Sequence, residues 1–197
     1  MIKKLILVAA GISLIAALTA CNNINNNTLA TGPVEESIPI DTNVGLEDGK
    51  IYNIGDKCPT IDFNSITSNK LYNISSDYGR VIILNFWSYD CKYCLRELPG
   101  FMNLERKYSD FISFSLIHEA NTYYSYPDVV RGYIENNLKE FKANFLYEDR
   151  TNRLYYALGG GLGYPFTVIL NKEGVIVERL LGAVSEDSLE EILLAYI

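Results

Sequence analysis

The distribution of apolar and polar positions along the chain predicts three segments. Residues 5–18 form a nearly continuous apolar stretch. Residues 22–50 are polar, include a run of asparagines, and follow neither the period of a strand nor that of a helix. Short apolar runs separated by amphipathic stretches then continue to the end of the chain. We therefore predict a leader, a flexible spacer and one folded domain, at residues 1–20, 21–49 and 50–197.

Within the folded domain, strands are predicted to alternate with helices. The apolar run at residues 81–87 is typical of a central strand buried on both faces. Residues 91–108 carry apolar side chains three and four positions apart, which predicts an amphipathic helix. The other predicted strands are 51–54 and 61–63, which would form an N-terminal hairpin, then 111–117, 145–147, 166–170 and 175–181. The other predicted helices are 127–140, 152–158 and a last one capped by Ser185.

This order of elements predicts an α/β fold. A mixed central β-sheet would be flanked by helices on both faces, with an N-terminal β-hairpin extension. The strands at 166–170 and 175–181 are expected to pair as a second hairpin across the turn between them.

Charge and composition narrow the classes of partner and cofactor. The chain has 197 residues, with 24 acidic and 17 basic side chains and a net charge of −7. An acidic surface repels phosphate backbones, so we expect no nucleic-acid partner. One histidine and four cysteines are too few for most dedicated zinc sites. We therefore expect neither a metal nor an organic cofactor, and the cysteines must be explained by their positions.

Two cysteines lie where the predicted central strand gives way to a helix, in the sequence CKYC at residues 91–94. Unpaired N–H groups and the positive end of the helix dipole would stabilise a thiolate at Cys91. Cys94 lies close enough to close a small disulfide ring, so the pattern predicts attack by Cys91 on a partner's disulfide and resolution by Cys94. Two alternatives stay open: a static disulfide, and a zinc site completed by Cys58 and His118.

The surrounding sequence is similar to that of a known family. Residues 85–99, NFWSYDCKYCLRELP, resemble the active-site segment of TlpA/ResA-type thioredoxin-like lipoproteins. GDKCP at 55–59 resembles that family's entry motif, and GYPFT at 163–167 resembles its cis-proline loop. The resemblance extends from about residue 51 to the end of the chain. It implies a thioredoxin fold and thiol–disulfide exchange outside the cytoplasm, commonly as a reductant for apocytochrome c or other exported proteins.

The same resemblance assigns roles to individual residues. Pro165 would be the cis-proline opposite Cys91, presenting the backbone of Tyr164 to a substrate strand; an ordinary trans proline is the alternative. Glu97 matches a glutamate of the family, and a partly buried carboxylate there could exchange a proton with Cys94, unless it is simply solvated. The catalytic candidates are Cys91, Cys94 and Glu97, and the candidates for contact with substrate are Trp87, Lys92, Tyr93, Tyr164 and Pro165.

Three further features are expected to be structural. Cys58 should pack as a small apolar side chain, and His118 should be structural rather than catalytic. The glycine-rich segment at 159–163 lacks the lysine and hydroxyl residue of a phosphate loop and leads into a strand. We interpret it as slack chain that positions the loop of Pro165.

The first residues resemble a lipoprotein signal. Two lysines precede the apolar stretch, and LTAC at residues 18–21 looks like a bacterial lipobox. The resemblance implies cleavage before Cys21 and lipid on its sulfur, which would anchor the protein to a cell membrane, facing outside the cytoplasm. The alternative is an uncleaved signal anchor.

The predicted function is reduction of disulfides in exported proteins by a membrane-anchored thiol–disulfide oxidoreductase. As a reductase it would draw electrons from a membrane donor of the DsbD/CcdA type, the family's usual source. Two enzymatic alternatives are an oxidant that forms disulfides and a redox partner of an extracellular methionine sulfoxide reductase or peroxidase. An alternative of another class is a binding lipoprotein whose Cys91–Cys94 disulfide is inert.

Overall fold

The structure, a computed structural model, describes residues 45–68 and 70–197. The predicted leader, the lipidation site at Cys21 and most of the predicted spacer lie outside the described residues. Within those two ranges, no helix combines the length and the apolar character that crossing a membrane requires.

The strands of the described ranges form one mixed sheet. They are β1 (Asp62–Ser65), β2 (Leu71–Asn73), β3 (Val81–Trp87), β4 (Ile112–His118), β5 (Asn144–Tyr147), β6 (Phe166–Leu170) and β7 (Ile176–Leu181). Their spatial order is β2-β1-β5-β4-β3-β6-β7. β3, β4 and β5 run parallel, and the remaining neighbours pair antiparallel. The prediction of a mixed sheet is confirmed.

The strand β3 lies between β4 and β6, and each of its seven residues is buried. Successive side chains of a strand point to opposite faces, so β3 contributes to two cores. Ile83 and Trp87 pack in a core that includes Leu98, whereas Phe86 packs in a second core with Tyr155. The continuous apolar run of the sequence is therefore explained by burial on both faces of the sheet.

The helices are α1 (Lys92–Tyr108), α2 (Ala120–Ser125), α3 (Pro127–Asn137), α4 (Arg153–Ala157) and α5 (Glu186–Leu194). α1, α3 and α5 contribute to the first core, and α4 contributes to the second. Cys91 is the N-cap of α1, and the Ser185 side chain caps α5 by accepting from the N–H of Ser188. The predictions of the helices α1, α3, α4 and α5 and of the β6–β7 hairpin are confirmed, whereas α2 is a helix not predicted from the sequence.

The N-terminal hairpin exists, but one of its predicted strands is wrong. Residues 51–54 form no strand, and the hairpin consists of β1 and β2. The apolar alternation there was misleading because Ile51 and Ile54 are 51% and 57% exposed. The N–H groups of Tyr52 and Gly55 instead donate to Ala157 and Ile176, in two different elements, so no ladder forms.

Candidate active site

The two cysteines of the CKYC sequence are joined by a disulfide at the start of α1, with their Cα atoms 5.3 Å apart. A turn after β3 brings them there, and its backbone is closed by the N–H of Cys91 donating to the carbonyl of Ser88 at 3.2 Å. Cys91 Sγ accepts from the N–H of Cys94 at 3.2 Å. The sulfur therefore occupies the N-cap position, where free N–H groups of a helix stabilise negative charge.

The two sulfurs differ in their access to solvent. Cys94, on the side of α1 that faces the core, is fully buried, whereas Cys91 is half-buried. Lys92 and Tyr93, between them in sequence, are exposed, and the Tyr93 ring lies 5.0 Å from the guanidinium of Arg96. A visiting polypeptide would therefore meet Cys91 first.

The loop before β6 lies against Cys91. The Tyr164–Pro165 peptide bond is cis, and the Tyr164 carbonyl oxygen is 3.7 Å from Cys91 Sγ. The Tyr155 hydroxyl fixes this loop by donating to the carbonyl of Gly163 at 3.1 Å and accepting from its N–H at 3.2 Å. The Tyr155 ring stacks on that of Tyr164, with centroids 5.0 Å apart. The backbone carbonyl beside the sulfur is thus held in place from two sides.

The glycine-rich segment is a fitted turn rather than slack chain, which corrects the expectation from sequence. A Cβ at Gly160 would lie 2.5 Å from the Tyr155 ring, so Gly160 is needed for the close approach of backbone and ring. Gly163 has φ +125, a region that L side chains rarely adopt. At the tip of the turn, Leu162 is 83% exposed.

Glu97 lies one helical turn after Cys94 and is 4% exposed. Its Oε1 accepts from Asn85 Nδ2 at 2.8 Å, and its Oε2 accepts from the N–H of Val184 at 3.1 Å. Burial raises the pKa of Glu97 to about 7, although both hydrogen bonds act to lower it. A cleft of about 480 Å³ leads to this carboxyl group from the side where α1 meets the start of α5. The carboxyl is buried as expected, and its exchange of a proton with Cys94 stays a prediction.

Asn85 is a site residue that the sequence reasoning missed. It lies on β3 and is fully buried, and its Nδ2 also donates to Thr167 Oγ1 at 3.0 Å. The available signal was a polar residue inside an otherwise apolar central strand, because a buried amide needs hydrogen-bond partners.

His118 holds the turn that precedes Cys91. Its Nε2 accepts from the N–H of Tyr89 at 3.0 Å, and its Nδ1 donates to the carbonyl of Glu119 at 2.8 Å. This pair of partners requires the neutral ring, and burial lowers the pKa of His118 to about 4. The expectation of a structural histidine fits this arrangement, although its support of the cysteine turn was not foreseen.

Comparison with known proteins adds sequence relatives. No protein-family model matches the chain. The chain is 23% identical over 148 residues to the thioredoxin-like protein YneN of Bacillus subtilis, a match that covers 75% of this chain and 79% of YneN. It is 24% identical over 140 residues to the thiol-disulfide oxidoreductase ResA of Bacillus cereus, covering 70% of this chain and 75% of ResA. The chain is related to the ResA thiol-disulfide oxidoreductases.

Solved structures agree on the fold. A putative thiol:disulfide interchange protein DsbE from Chlorobium tepidum superposes with a TM-score of 0.58 at 20% identity, covering 74% of this chain and 98% of that one. StoA from Bacillus subtilis superposes with a TM-score of 0.56 at 22% identity, covering 68% and 96%. The predictions of a thioredoxin fold and of a thiol–disulfide oxidoreductase related to ResA are confirmed.

The structure corrects one predicted substrate contact, that of Trp87. Trp87 is fully buried, with its ring edge-on to His118 at 5.0 Å between centroids. Its side chain therefore cannot touch a docked polypeptide in this structure; it packs against His118, which holds the turn before Cys91. Lys92 and Tyr93 are exposed beside Cys91, and Tyr164 lies against its sulfur.

The structure gives the zinc alternative no geometric support. Cys58 is 2% exposed in the core on the opposite face of the sheet from Cys94, and burial raises the pKa of its thiol to about 12. Both ring nitrogens of His118 are engaged with backbone groups. Within residues 45–68 and 70–197, no group of three histidine, cysteine or carboxylate side chains could hold a metal ion.

Proposed function

We propose that this protein is a lipid-anchored, extracytoplasmic oxidoreductase that reduces disulfides of exported proteins, such as apocytochrome c, through Cys91 and Cys94. The observation that carries the proposal is the difference in access between the two sulfurs. Cys91 is reachable at the N-terminus of α1 beside the Tyr164 carbonyl, whereas Cys94 is fully buried behind it. A nucleophile in front and a resolving thiol behind is the arrangement that two-step exchange needs.

The proposed reaction begins with the reduced protein. The Cys91 thiolate attacks one sulfur of the substrate disulfide, which forms a mixed disulfide and releases the other substrate sulfur as a thiolate. Cys94 then attacks the sulfur of Cys91, which releases the second substrate thiolate and forms the Cys91–Cys94 disulfide. Two electrons pass from the protein to the substrate, and the substrate thiolates take up two protons.

We assign the surface around Cys91 to substrate binding. The Tyr164 carbonyl is an acceptor that an extended substrate backbone can pair with, and the cis peptide to Pro165 directs it towards Cys91. Lys92 and Tyr93 are exposed on the first turn of α1, at the other side of the sulfur. These groups would orient the substrate disulfide for attack by Cys91.

Glu97 is the proposed acceptor for the proton of Cys94. The Cys94 thiol must lose a proton before it can attack, and Glu97 is the carboxyl group one turn further along α1. Its pKa of about 7 makes it a base that is ionised just above neutral pH and protonated just below it. The resolving step should therefore slow as the pH falls below 7.

The location outside the cytoplasm is supported by the lipobox-like sequence at residues 18–21. A similar structure, with a TM-score of 0.57 at 19% identity, is the exposed lipoprotein thioredoxin Etrx1 of Streptococcus pneumoniae; the match covers 69% of this chain and 98% of that one. A reductase outside the cytoplasm needs electrons from across the membrane, so a donor of the DsbD/CcdA type is part of the proposal.

The proposal is tested by trapping substrates. In a Cys94→Ser variant the mixed disulfide with Cys91 cannot be resolved, so exported proteins should accumulate as covalent adducts that a reductant releases. Cys91→Ser is the matched control and should trap nothing. An absence of adducts in Cys94→Ser would instead favour the inert disulfide.

The direction of electron flow is tested by the reduction potential of the Cys91–Cys94 pair. Thioredoxin-like reductants lie near −270 mV and oxidants of the DsbA type near −120 mV, as rough limits. We expect a potential near that of the thioredoxin-like reductants. A potential near that of the DsbA-type oxidants would mean that the protein forms disulfides instead of reducing them.

A further inference from the structure

The carboxyl group of Glu97 has a hydrogen-bond donor facing each oxygen. Asn85 Nδ2 donates to Oε1 at 2.8 Å, and the N–H of Val184 donates to Oε2 at 3.1 Å. This arrangement fits the ionised carboxylate, which only accepts. Burial acts in the opposite direction and raises the pKa to about 7, so both protonation states are populated near neutral pH.

A protonated oxygen keeps one lone pair for its existing donor, but its new O–H group needs an acceptor of its own. At Oε2 the neighbour is the backbone N–H of Val184, which offers no acceptor to a new O–H group. At Oε1 the neighbour is the primary amide of Asn85, which carries a donor group and an acceptor on the same carbon. The two oxygens of Glu97 are therefore not equivalent as sites for the proton.

The carbonyl oxygen of the Asn85 amide is available to accept a hydrogen bond. Its Oδ1 is buried and has no hydrogen-bond partner within the described residues, while its Nδ2 donates to both Glu97 Oε1 and Thr167 Oγ1. A half-turn about the Cβ–Cγ bond would exchange the two amide atoms. Oδ1 would then accept from a protonated Oε1 and from the Thr167 hydroxyl, which can donate as readily as it accepts.

We propose that Asn85 is a positioning residue whose side-chain amide turns over when Glu97 gains a proton, so that Glu97 takes up and releases its proton at Oε1. The inference rests on the proposed function in one respect, that the proton comes from Cys94 in turnover. In the proton transfer the S–H bond of Cys94 breaks and the O–H bond of Glu97 forms; Glu97 then passes the proton to water, which restores the carboxylate.

The other charged groups near Glu97 are the same in the wild type and in the Asn85 and Thr167 variants that test the proposal. Arg96 of α1 and Glu186 of α5 line the cleft beside the carboxyl group, and Cys94 precedes it on α1. The strands β3 and β6 contribute the neutral side chains of Asn85 and Thr167. In the oxidised protein Cys94 is held in the disulfide and does not titrate, so Glu97 can be followed without interference from that thiol.

The test is a pH titration of the intact oxidised protein by nuclear magnetic resonance, which needs no substrate. The Glu97 carboxyl carbon should titrate with a midpoint near 7, and the nuclear Overhauser contacts of the Asn85 Nδ2 protons with Thr167 should be lost over the same pH range, because the turned amide places its oxygen there. Contacts of these protons that persist through the Glu97 titration would overturn the proposal, whether or not substrates are trapped by Cys94→Ser. Loss of the contacts with no trapped substrates would keep this inference and remove the proposed function.

Two variants separate positioning from mere packing. Asn85→Ala removes one hydrogen bond from each protonation state of Glu97; the bond to the ionised carboxylate is charge-assisted and the stronger of the two, so the Glu97 midpoint should rise, by up to about one pH unit. Thr167→Val is the matched control: the hydroxyl serves both orientations of the amide, so its loss should move the midpoint by less than about half as much. Equal shifts in the two variants, or none in Asn85→Ala, would contradict the inference, and the wild-type titration decides it if Asn85→Ala does not fold.

Discussion

At the scale of the residue, the buried carboxyl of Glu97 makes stability depend on pH. Its pKa is raised from 4.5 to about 7 in the folded protein, so the folded state holds the proton more tightly than the unfolded chain. The stabilisation from this group is complete below pH 4.5 and is lost as the pH rises through 7. Its upper limit is about 3 kcal/mol, from the size of the shift.

Glu97→Gln should remove this dependence and the proton acceptor together. The glutamine is always neutral, so the variant should be more stable than the wild type at pH 8 and lose the fall in unfolding free energy between pH 5 and 8. Urea unfolding at both pH values measures this. Its resolving step should also be slower above pH 7, and wild-type kinetics across that range would remove Glu97 from the mechanism.

His118 offers a second test at this scale. His118→Phe keeps an aromatic ring but leaves the N–H of Tyr89 without its acceptor, so the free energy of unfolding should fall by about 1–3 kcal/mol. Alkylation of reduced Cys91 by iodoacetamide should also change in rate, because the turn before it is released. In His118→Gln a side-chain oxygen can replace Nε2, so this variant should retain most of both properties; equal loss in the two variants would refute the role of the acceptor.

At the scale of the element, the turn before Pro165 depends on the contact between Gly160 and Tyr155. Gly160→Ala would push a methyl group into the Tyr155 ring and displace the hydroxyl that holds Gly163. We expect unfolding free energy to fall by about 1–3 kcal/mol and disulfide reduction to slow. Gly132→Ala in α3 is the control: a Cβ there meets nothing within 4 Å, so it should stabilise by up to about 1 kcal/mol. A neutral effect of Gly160→Ala would restore the interpretation of slack chain.

Elements could be predicted from sequence where one local pattern decided them. The strand β3 and the helix α1 have apolar patterns that match their burial, and Ser185 caps its helix through neighbouring residues. The same reasoning predicts a strand at residues 51–54 that does not form, because Ile51 and Ile54 are exposed and the N–H groups of Tyr52 and Gly55 donate to distant elements.

The residues of the candidate site also differ in whether a local sequence pattern predicts them. The cysteine pair, Glu97 and Pro165 lie within short motifs, so the sequence was sufficient to select them. Asn85 and His118 act on residues 12 and 29 positions away, and such contacts exist only once the sheet has formed. Trp87 was misjudged because its place beside the cysteines in sequence says nothing about its burial.

At the scale of the whole molecule, the predicted anchor and the folded domain should be separable. The described residues have two cores of their own, and the lipobox-like sequence predicts that a lipid on Cys21 attaches the protein to the membrane. Two or more acyl chains give stable attachment where one does not. Cys21→Ala should therefore move the protein out of the membrane fraction while leaving its melting temperature and Cys91–Cys94 potential unchanged.

The matched control for this prediction is Cys58→Ala, which removes a buried thiol far from the first residues in sequence. It should lower stability slightly, because a small core side chain is lost, and leave the protein in the membrane fraction. Fractionation of cells followed by detection of the protein compares the two variants directly. If Cys21→Ala stays membrane-bound with residues 1–20 still attached, its apolar stretch holds the uncleaved chain, and the mass of wild-type protein then decides: an uncleaved wild-type chain without lipid would replace lipidation by the signal anchor. A Cys91–Cys94 potential that changes in Cys21→Ala would contradict this prediction.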